Sequence, residues 1–274
     1  MTNVNTRIAA WWVMSAVVLA SLLIGPIGSV VLFGLLSFIA LREFVTLMPT
    51  RRADHRVLLA AFFVAIPLHY TLIAVEWYGL FAVLIPIGGL LSVAAACALA
   101  GDTERFTERV SEIQLGLIVC VYAVSHVPAL LMLRLPEHAG QNAKLLLFLV
   151  VVVESSDVLQ YIWGKLFGRR AIAPTVSPGK TVEGFLGGVA SATLLGAVLS
   201  RLTPFDPWQA AAVSLIVTIA GFAGGLVMSA IKRDRGVKDF GTVIAGHGGV
   251  LDRIDSLCFA GPVFFHLTRY FFAV

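Results

Sequence analysis

An all-α, polytopic membrane protein with eight or nine transmembrane helices is what this sequence predicts, on three observations. First, 58% of the 274 residues are hydrophobic and the mean hydropathy is +0.91. Second, only 13% are charged, about half the share usual in a soluble domain. Third, the apolar residues fall into runs of roughly 20, the length an α-helix needs to cross the hydrocarbon layer. These features exclude a soluble multidomain enzyme. The net charge of +4 does not point to nucleic acid, because the basic residues are explained by membrane topology.

Nine runs qualify: 8–24, 29–48, 57–75, 79–100, 114–133, 145–164, 184–201, 208–230 and 255–273. The first begins near Ile8, is long enough to span, and is followed by no small-residue cleavage site, so it reads as a span and not as a removable signal. Gly25-Pro26-Ile27-Gly28 divides it from the second run, since Gly and Pro end helices. A single bent segment there would make eight spans. His69, His126 and His266 lie in spans without acidic companions and read as hydrogen-bonding residues of the bundle. Between the fourth and fifth runs, Glu104, Arg105, Glu108, Arg109 and Glu112 have helical spacing and read as a solvated surface helix with paired charges. Arg51 and Arg52 read as topology signals or contacts to anionic lipid. Cys97, Cys120 and Cys258 lie in apolar runs, form no metal or redox motif, and read as packing residues. No internal repeat is evident.

With nine spans, 16 of the 20 Lys and Arg fall on one side. The positive-inside rule places that side, with the N-terminus and the loops 49–56, 101–113, 165–183 and 231–254, in the cytoplasm. Of the 36 charged residues, 16 lie in two windows on that side, seven in 154–183 and nine in 232–255. Charge beside a membrane boundary is costly and marks a working site, so the two windows are expected to build one site.

The first window contains Glu154, Asp157, Gln160 and Tyr161 near the end of a run, then Gly164 and Gly168, which allow close approach of a neighbouring helix. Ser177-Pro178-Gly179-Lys180-Thr181-Val182-Glu183-Gly184 follows. It resembles the end of a phosphate loop, but the first glycine of that motif would fall at Pro174, and no strand is expected before it. Lys180 and Thr181 ahead of a helix start can still hold a phosphate. Glu183 would alternatively serve as a first-turn acid. The second window supplies Lys232, Arg233, Arg235 and Lys238 to neutralise phosphate charge, and Asp239 and Asp252 as hard oxygen ligands suited to Mg²⁺. Gly246, Gly248 and Gly249 flank His247, which would contact a phosphate or order the turn.

These residues carry a resemblance to the phosphatidate cytidylyltransferases. The pattern Ser-x-x-Lys-Arg-x4-Lys-Asp, then His-Gly-Gly-x-x-Asp-Arg-x-Asp, is met by Ser229, Lys232, Arg233, Lys238, Asp239, His247, Gly248, Gly249, Asp252, Arg253 and Asp255. Ser177, Pro178, Lys180, Thr181, Glu183 and Gly184 match a second block, and Asp157, Tyr161, Gly164 and Gly168 a third. The likeness covers roughly residues 150–274. It divides the chain into helices of little family signal, 1–144, and a catalytic membrane region, 145–274. Two positions depart from the pattern: Gly225 stands where the family usually has an acid, and Gln160 where it has a small residue.

The resemblance implies transfer of a cytidylyl group from CTP to phosphatidic acid, giving CDP-diacylglycerol and pyrophosphate. It implies Mg²⁺, with a second cation in some form, on Asp239 and Asp252, with Asp157 near the same centre. Catalytic residues would be Lys238, Asp239, His247, Asp252, Arg253 and Asp255. Ser177, Lys180, Thr181, Ser229, Lys232, Arg233 and Tyr161 would bind substrate phosphates. A homodimer in a bacterial inner membrane, with its site facing the cytoplasm, follows by the same analogy. Two other classes fit parts of the sequence. A transporter would place its charges at midplane and often in repeated halves, unlike the one-sided charge here. A weakened relative acting in lipid binding or assembly fits the loss of the acid at Gly225.

Overall fold

The computed structural model describes residues 2–244, 246 and 248–273. Each of the nine apolar runs lies in a helix: α1 (Thr2–Ile24), α2 (Pro26–Thr46), α3 (Arg52–Ala74), α4 (Tyr78–Leu99), α5 (Phe106–Met132), α6 (Asn142–Phe167), α7 (Val182–Val198), α8 (Pro207–Asp234) and α9 (Leu251–Phe272). Among the described residues, six of these, α2 to α6 and α8, are long and apolar enough to cross a membrane. Many large apolar side chains face outward, among them Leu99 at 89% exposure, as expected of a surface whose solvent is lipid. The break between the first two runs is real. Gly25 has φ 107, a conformation side chains disfavour, and Pro26 opens α2.

The chain divides into two compact units, Met1–Met132 with Asp239–Arg253, and Leu133–Lys238 with Ile254–Val274. In the first unit, buried polar side chains join the helices. Ser37 and Tyr70 hydroxyls lie 2.6 Å apart, and His69 Nε2 is 2.9 Å from Ser125 Oγ. His126 Nδ1 is 2.7 Å from the Tyr122 carbonyl. The last contact lies within α5. In an apolar interior an unmet polar group is costly, so the Ser37–Tyr70 and His69–Ser125 pairs fix helix register as well as contributing contact. Short π-helical turns at Ala61–Ala65, Leu84–Gly89 and Ile118–Ala123 interrupt α3, α4 and α5.

The 104–112 segment departs from a purely surface helix. Arg105 does pair with Glu108 at the surface. Arg109 is instead buried, with its Nε 3.1 Å from Asp54 Oδ1, and both side chains are nearly inaccessible. Its other nitrogens donate to the carbonyls of Glu104 (2.6 Å) and Asp102 (2.8 Å). Arg51 joins the same network, 2.7 Å from Asp102 Oδ2 and 2.5 Å from Glu104 Oε2. The backbone N–H of Glu104 and the neighbouring arginines hold the Asp102 carboxyl below its ordinary range. Arg51 thus has a protein partner, and Arg109 ties the first turn of α3 to the start of α5.

In the second unit α6 and α7 lie against each other through glycines. A Cβ on Gly184 would come within 2.7 Å of the Gln160 carbonyl oxygen, and one on Gly188 within 2.6 Å of the Gln160 nitrogen. Between the two helices runs a two-stranded antiparallel hairpin, β1 (Ala171–Ala173) and β2 (Ser177–Thr181), with Ala173 opposite Ser177. The 177–181 segment is therefore itself a strand, where the sequence suggested a loop with no strand beside it. β-strand pairing satisfies backbone groups that a loop leaves open. Asp206 starts α8 by accepting from the N–H of Trp208 (2.9 Å) and Gln209 (2.8 Å), as a helix N-cap does.

Removing one partner of a buried ion pair strands the other, at a cost of about 3–5 kcal/mol. Arg109→Ala is therefore expected to lower the thermal midpoint of the purified protein in detergent sharply. Arg105→Ala, on an exposed pair, is expected to leave it unchanged. Equal midpoints for the two variants in a fluorimetric melt would contradict this reading.

Candidate active site

In the first unit the 239–253 segment folds around two carboxylates. Gly246 and Gly248 have φ of 74 and 83, and the Ile244 N–H donates to the Gly248 carbonyl at 2.8 Å. A tight turn of this kind needs glycine. His247, expected at its centre, lies outside the described residues. A Cβ on Gly248 would stand 3.0 Å from Asp252 Oδ2 and 3.3 Å from Asp239 Cγ. The missing side chain is what lets both acids approach the same point of the backbone. Asp252 is buried and its Oδ2 accepts from the N–H of Phe240 (2.8 Å) and Gly249 (3.0 Å). Arg253 Nε is buried with no hydrogen-bond partner among the described residues.

The sequence reading missed Glu43. This acid sits in the apolar α2 at 4% exposure, and its carboxylate accepts from the N–H of Val250 (3.0 Å) and Leu251 (2.9 Å). Those donors belong to the start of α9, which has N–H groups without helical partners and a positive dipole end. A Cβ on Gly249 would come within 2.4 Å of Glu43 Oε2, and one on Gly241 within 2.6 Å of Oε1. Glycine at both places admits the carboxylate. The available signal was a lone acid inside a predicted span.

In the second unit Asp157 and Lys180 of the first window are grouped with Lys232 and Asp255 of the second, while Asp239, Asp252 and Arg253 belong to the first unit. Ser256 Oγ donates to Asp157 Oδ2 at 2.6 Å, across 99 residues of chain. Lys180, at the end of β2, feels the charges of Asp157, Asp255 and Lys232. Its Nζ lies 4.8 Å from the centre of the Phe222 ring, a cation–π distance. Burial pulls the Lys180 pKa below its ordinary range, Asp157 and Asp255 oppose that shift, and Lys232 adds to it. A Cβ on Gly225 would stand 2.6 Å from Lys180 Nζ and 3.6 Å from Ser256 Oγ. Ser256 and Phe222 carried no signal in the sequence, since neither belongs to a charged or glycine-rich pattern.

Several of the remaining candidates take structural partners. Thr181 caps α7, its Oγ1 accepting from Gly184 N–H at 3.1 Å. Glu183 is in the first turn of α7, and its Oε2 accepts from the N–H of Arg169 (2.9 Å) and Arg170 (3.2 Å). Ser229 Oγ donates back to the Gly225 carbonyl at 2.7 Å. Arg233 donates to the carbonyls of Val176 (3.4 Å) and Val237 (3.0 Å), joining the end of α8 to the hairpin. Tyr161 is 65% exposed, with Lys165 Nζ 5.8 Å from its ring centre. Ser177 opens β2, and Lys238 lies just past α8.

Among the described residues no three His, Cys, Asp or Glu side chains form a metal-holding group. Mg²⁺ commonly takes one or two carboxylates and completes its shell with water and substrate phosphate. Asp239 and Asp252, drawn together at Gly248, fit that smaller demand. Asp157 is placed differently, beside an ammonium and a serine hydroxyl in the second unit.

Similarity to known proteins bears on the site. The sequence model of a cytidylyltransferase family matches residues 5–271. An uncharacterised Escherichia coli K12 protein, YnbB, is 44% identical over 271 residues, covering 98% of this chain and 88% of that one. A protein of Staphylococcus saprophyticus named phosphatidate cytidylyltransferase is 36% identical over 146 residues, covering 53% of this chain and 56% of its own length. One of the same name from Staphylococcus haemolyticus is 40% identical over 120 residues, 43% of this chain and 46% of that one. The likeness to these named enzymes thus spans about half of each.

Glu43→Ala would strand two backbone donors at the start of α9, each costing about 1–3 kcal/mol when buried without a partner. The expected outcome is a lower thermal midpoint and faster amide hydrogen exchange at Val250 and Leu251. Unchanged exchange there would show that Glu43 does not hold the helix start.

Proposed function

This chain belongs to the cytidylyltransferase family, and we propose that it transfers the cytidylyl group of CTP to phosphatidic acid, releasing pyrophosphate and leaving CDP-diacylglycerol. The observation that carries this reading is the gathering of Asp157, Lys180, Lys232, Asp255 and Ser256 into one cluster. The four charged members come from both charged windows of the sequence, and Ser256 directly follows the second. The names of the Staphylococcus relatives supply the acceptor in this proposal.

The chemistry asks little of a conventional base. A phosphate oxygen of phosphatidic acid is already anionic, and it attacks the α-phosphorus of CTP. The bond from that phosphorus to the bridging oxygen of the β-phosphate breaks, and pyrophosphate leaves with the electron pair. The difficulty is repulsion between two polyanions, so positioning and charge neutralisation do most of the catalysis. Lys232, Arg233, Lys238 and Arg253 are assigned to the phosphates, with Lys180 adding positive charge to the second unit's cluster. Ser177, Ser229, Thr181, Tyr161 and His247 are assigned to substrate contacts. Asp239 and Asp252 would hold Mg²⁺, which when bound supplies neutralisation of the nucleotide phosphates and of the leaving pyrophosphate. Asp255 joins Asp157 in fixing the cationic groups around it.

The apolar helices keep the lipid tails in the bilayer while the head group is presented at its edge. The charge asymmetry of the loops supports a cytoplasmic site in a bacterial inner membrane. A homodimer is part of the same proposal. A second reading, lipid binding or assembly without turnover, draws on Gly225, where no side chain reaches the cluster.

Incubating the purified protein with radiolabelled CTP and a panel of phospholipids, with and without Mg²⁺, is expected to give a labelled lipid only with phosphatidic acid and Mg²⁺. No product, with phosphatidic acid vesicles still bound, would favour the second reading. Asp239→Asn and Asp252→Asn are each expected to lower the rate about 10²- to 10³-fold, the usual loss for one well-placed charge stabiliser. Wild-type rates in both would remove the assigned cation site.

A further inference from the structure

We propose that Lys180 is a resident cation of the second unit, its ammonium seated between Asp157 and Asp255 in space that Gly225 leaves open, so that these acids hold an amine in place of a metal ion. The assignment is independent of the lipid acceptor, because its test reads cation binding and amine reactivity and not turnover.

Three observations support it. The first is steric. A Cβ on Gly225 would lie 2.6 Å from Lys180 Nζ, closer than carbon and nitrogen approach without a bond. Any residue but glycine would therefore push the ammonium aside. The second is electrostatic. Asp157 and Asp255 are the two carboxylates acting on Lys180, while Lys232 is the cation beside it. Two acids and two bases make a cluster with no net charge, which is what a poorly solvated site requires. The third is enclosure. The Phe222 ring covers the ammonium at 4.8 Å, and an aromatic face attracts a cation most where water is excluded. Ser256 completes the arrangement by donating to Asp157, which orients one carboxylate oxygen without competing for the positive charge.

The placement also explains the chain path. Lys180 arrives from β2, and the hairpin is anchored on both sides. Arg233 donates to the Val176 carbonyl, and Glu183 accepts from the N–H groups of Arg169 and Arg170, just past α6. An ammonium delivered on a paired strand is held more firmly than one on an open loop. A tethered amine also differs from a metal ion in not being lost to chelators and in having no open coordination positions for substrate.

The test uses the full-length protein in detergent, with bound Mn²⁺ counted by electron paramagnetic resonance. Lys180→Ala removes the amine and leaves a space lined by Asp157, Asp255 and Ser256. The expected result is one more Mn²⁺ per chain than in the wild type, an increment absent when Asp157→Asn is added. An identical Mn²⁺ count in wild type and Lys180→Ala would overturn the proposal. A second variant guards against misfolding. Gly225→Ala keeps every charge but displaces the ammonium. Amine acylation followed by peptide mapping, with the exposed Lys165 as the internal standard, is expected to show Lys180 labelled several-fold faster in Gly225→Ala than in the wild type. Equal labelling of Lys180 in the two proteins would show that Gly225 does not seat it and would also overturn the proposal.

Discussion

Charge in a medium that cannot solvate it is the constraint on which this structure depends. An isolated ion in an apolar interior costs far more than any packing contact returns, and four buried or half-buried charges here show how the fold answers that cost. Arg109 is met by Asp54 and two carbonyls. Glu43 is met by two backbone N–H groups at a helix start. Asp252 is met by two others in the turn beside it. Lys180 faces an aromatic ring and lies in the field of two acids. The Arg109 and Glu43 solutions tie together segments far apart in sequence, so these charges specify the fold as well as its chemistry.

Glycine is the second half of that solution. A carboxylate or an ammonium reaches a backbone only where no side chain stands in its way. Gly241 and Gly249 admit Glu43, Gly248 admits Asp239 and Asp252, and Gly225 admits Lys180. Farther from the charges, Gly184 and Gly188 bring α7 against α6, which sets where Asp157 and β2 stand within the second unit. Small residues at helix interfaces are a common device in membrane proteins. Here the same device also makes room for ions.

The reaction proposed for this chain joins two phosphate-bearing substrates and has a natural use for such a scaffold. Balanced clusters of fixed charge need no rearrangement when substrate arrives, and preorganised charge is the most effective aid to reactions of this type. Glycine at 225, where the resemblance implies an acid, fits the proposed assignment, in which the lysine supplies the positive charge from within the protein.

All nine helical runs were legible in the sequence, because the length of an apolar run is set by bilayer thickness and needs no tertiary information. The break at Gly25-Pro26 was legible too, since backbone sterics are local. So were the charged windows, the likeness to a cytidylyltransferase, and the roles of His69 and His126 as hydrogen-bonding residues. What tertiary structure decided was which charges meet. Arg109 sits among residues with perfect surface-helix spacing, yet it is buried, because its partner Asp54 lies 55 residues away. Glu43 finds its donors more than 200 residues along the chain, and Ser256 finds Asp157 across 99. Hydropathy reports the average solvent of a segment; pairing of ions depends on distances between segments, which only the folded chain defines.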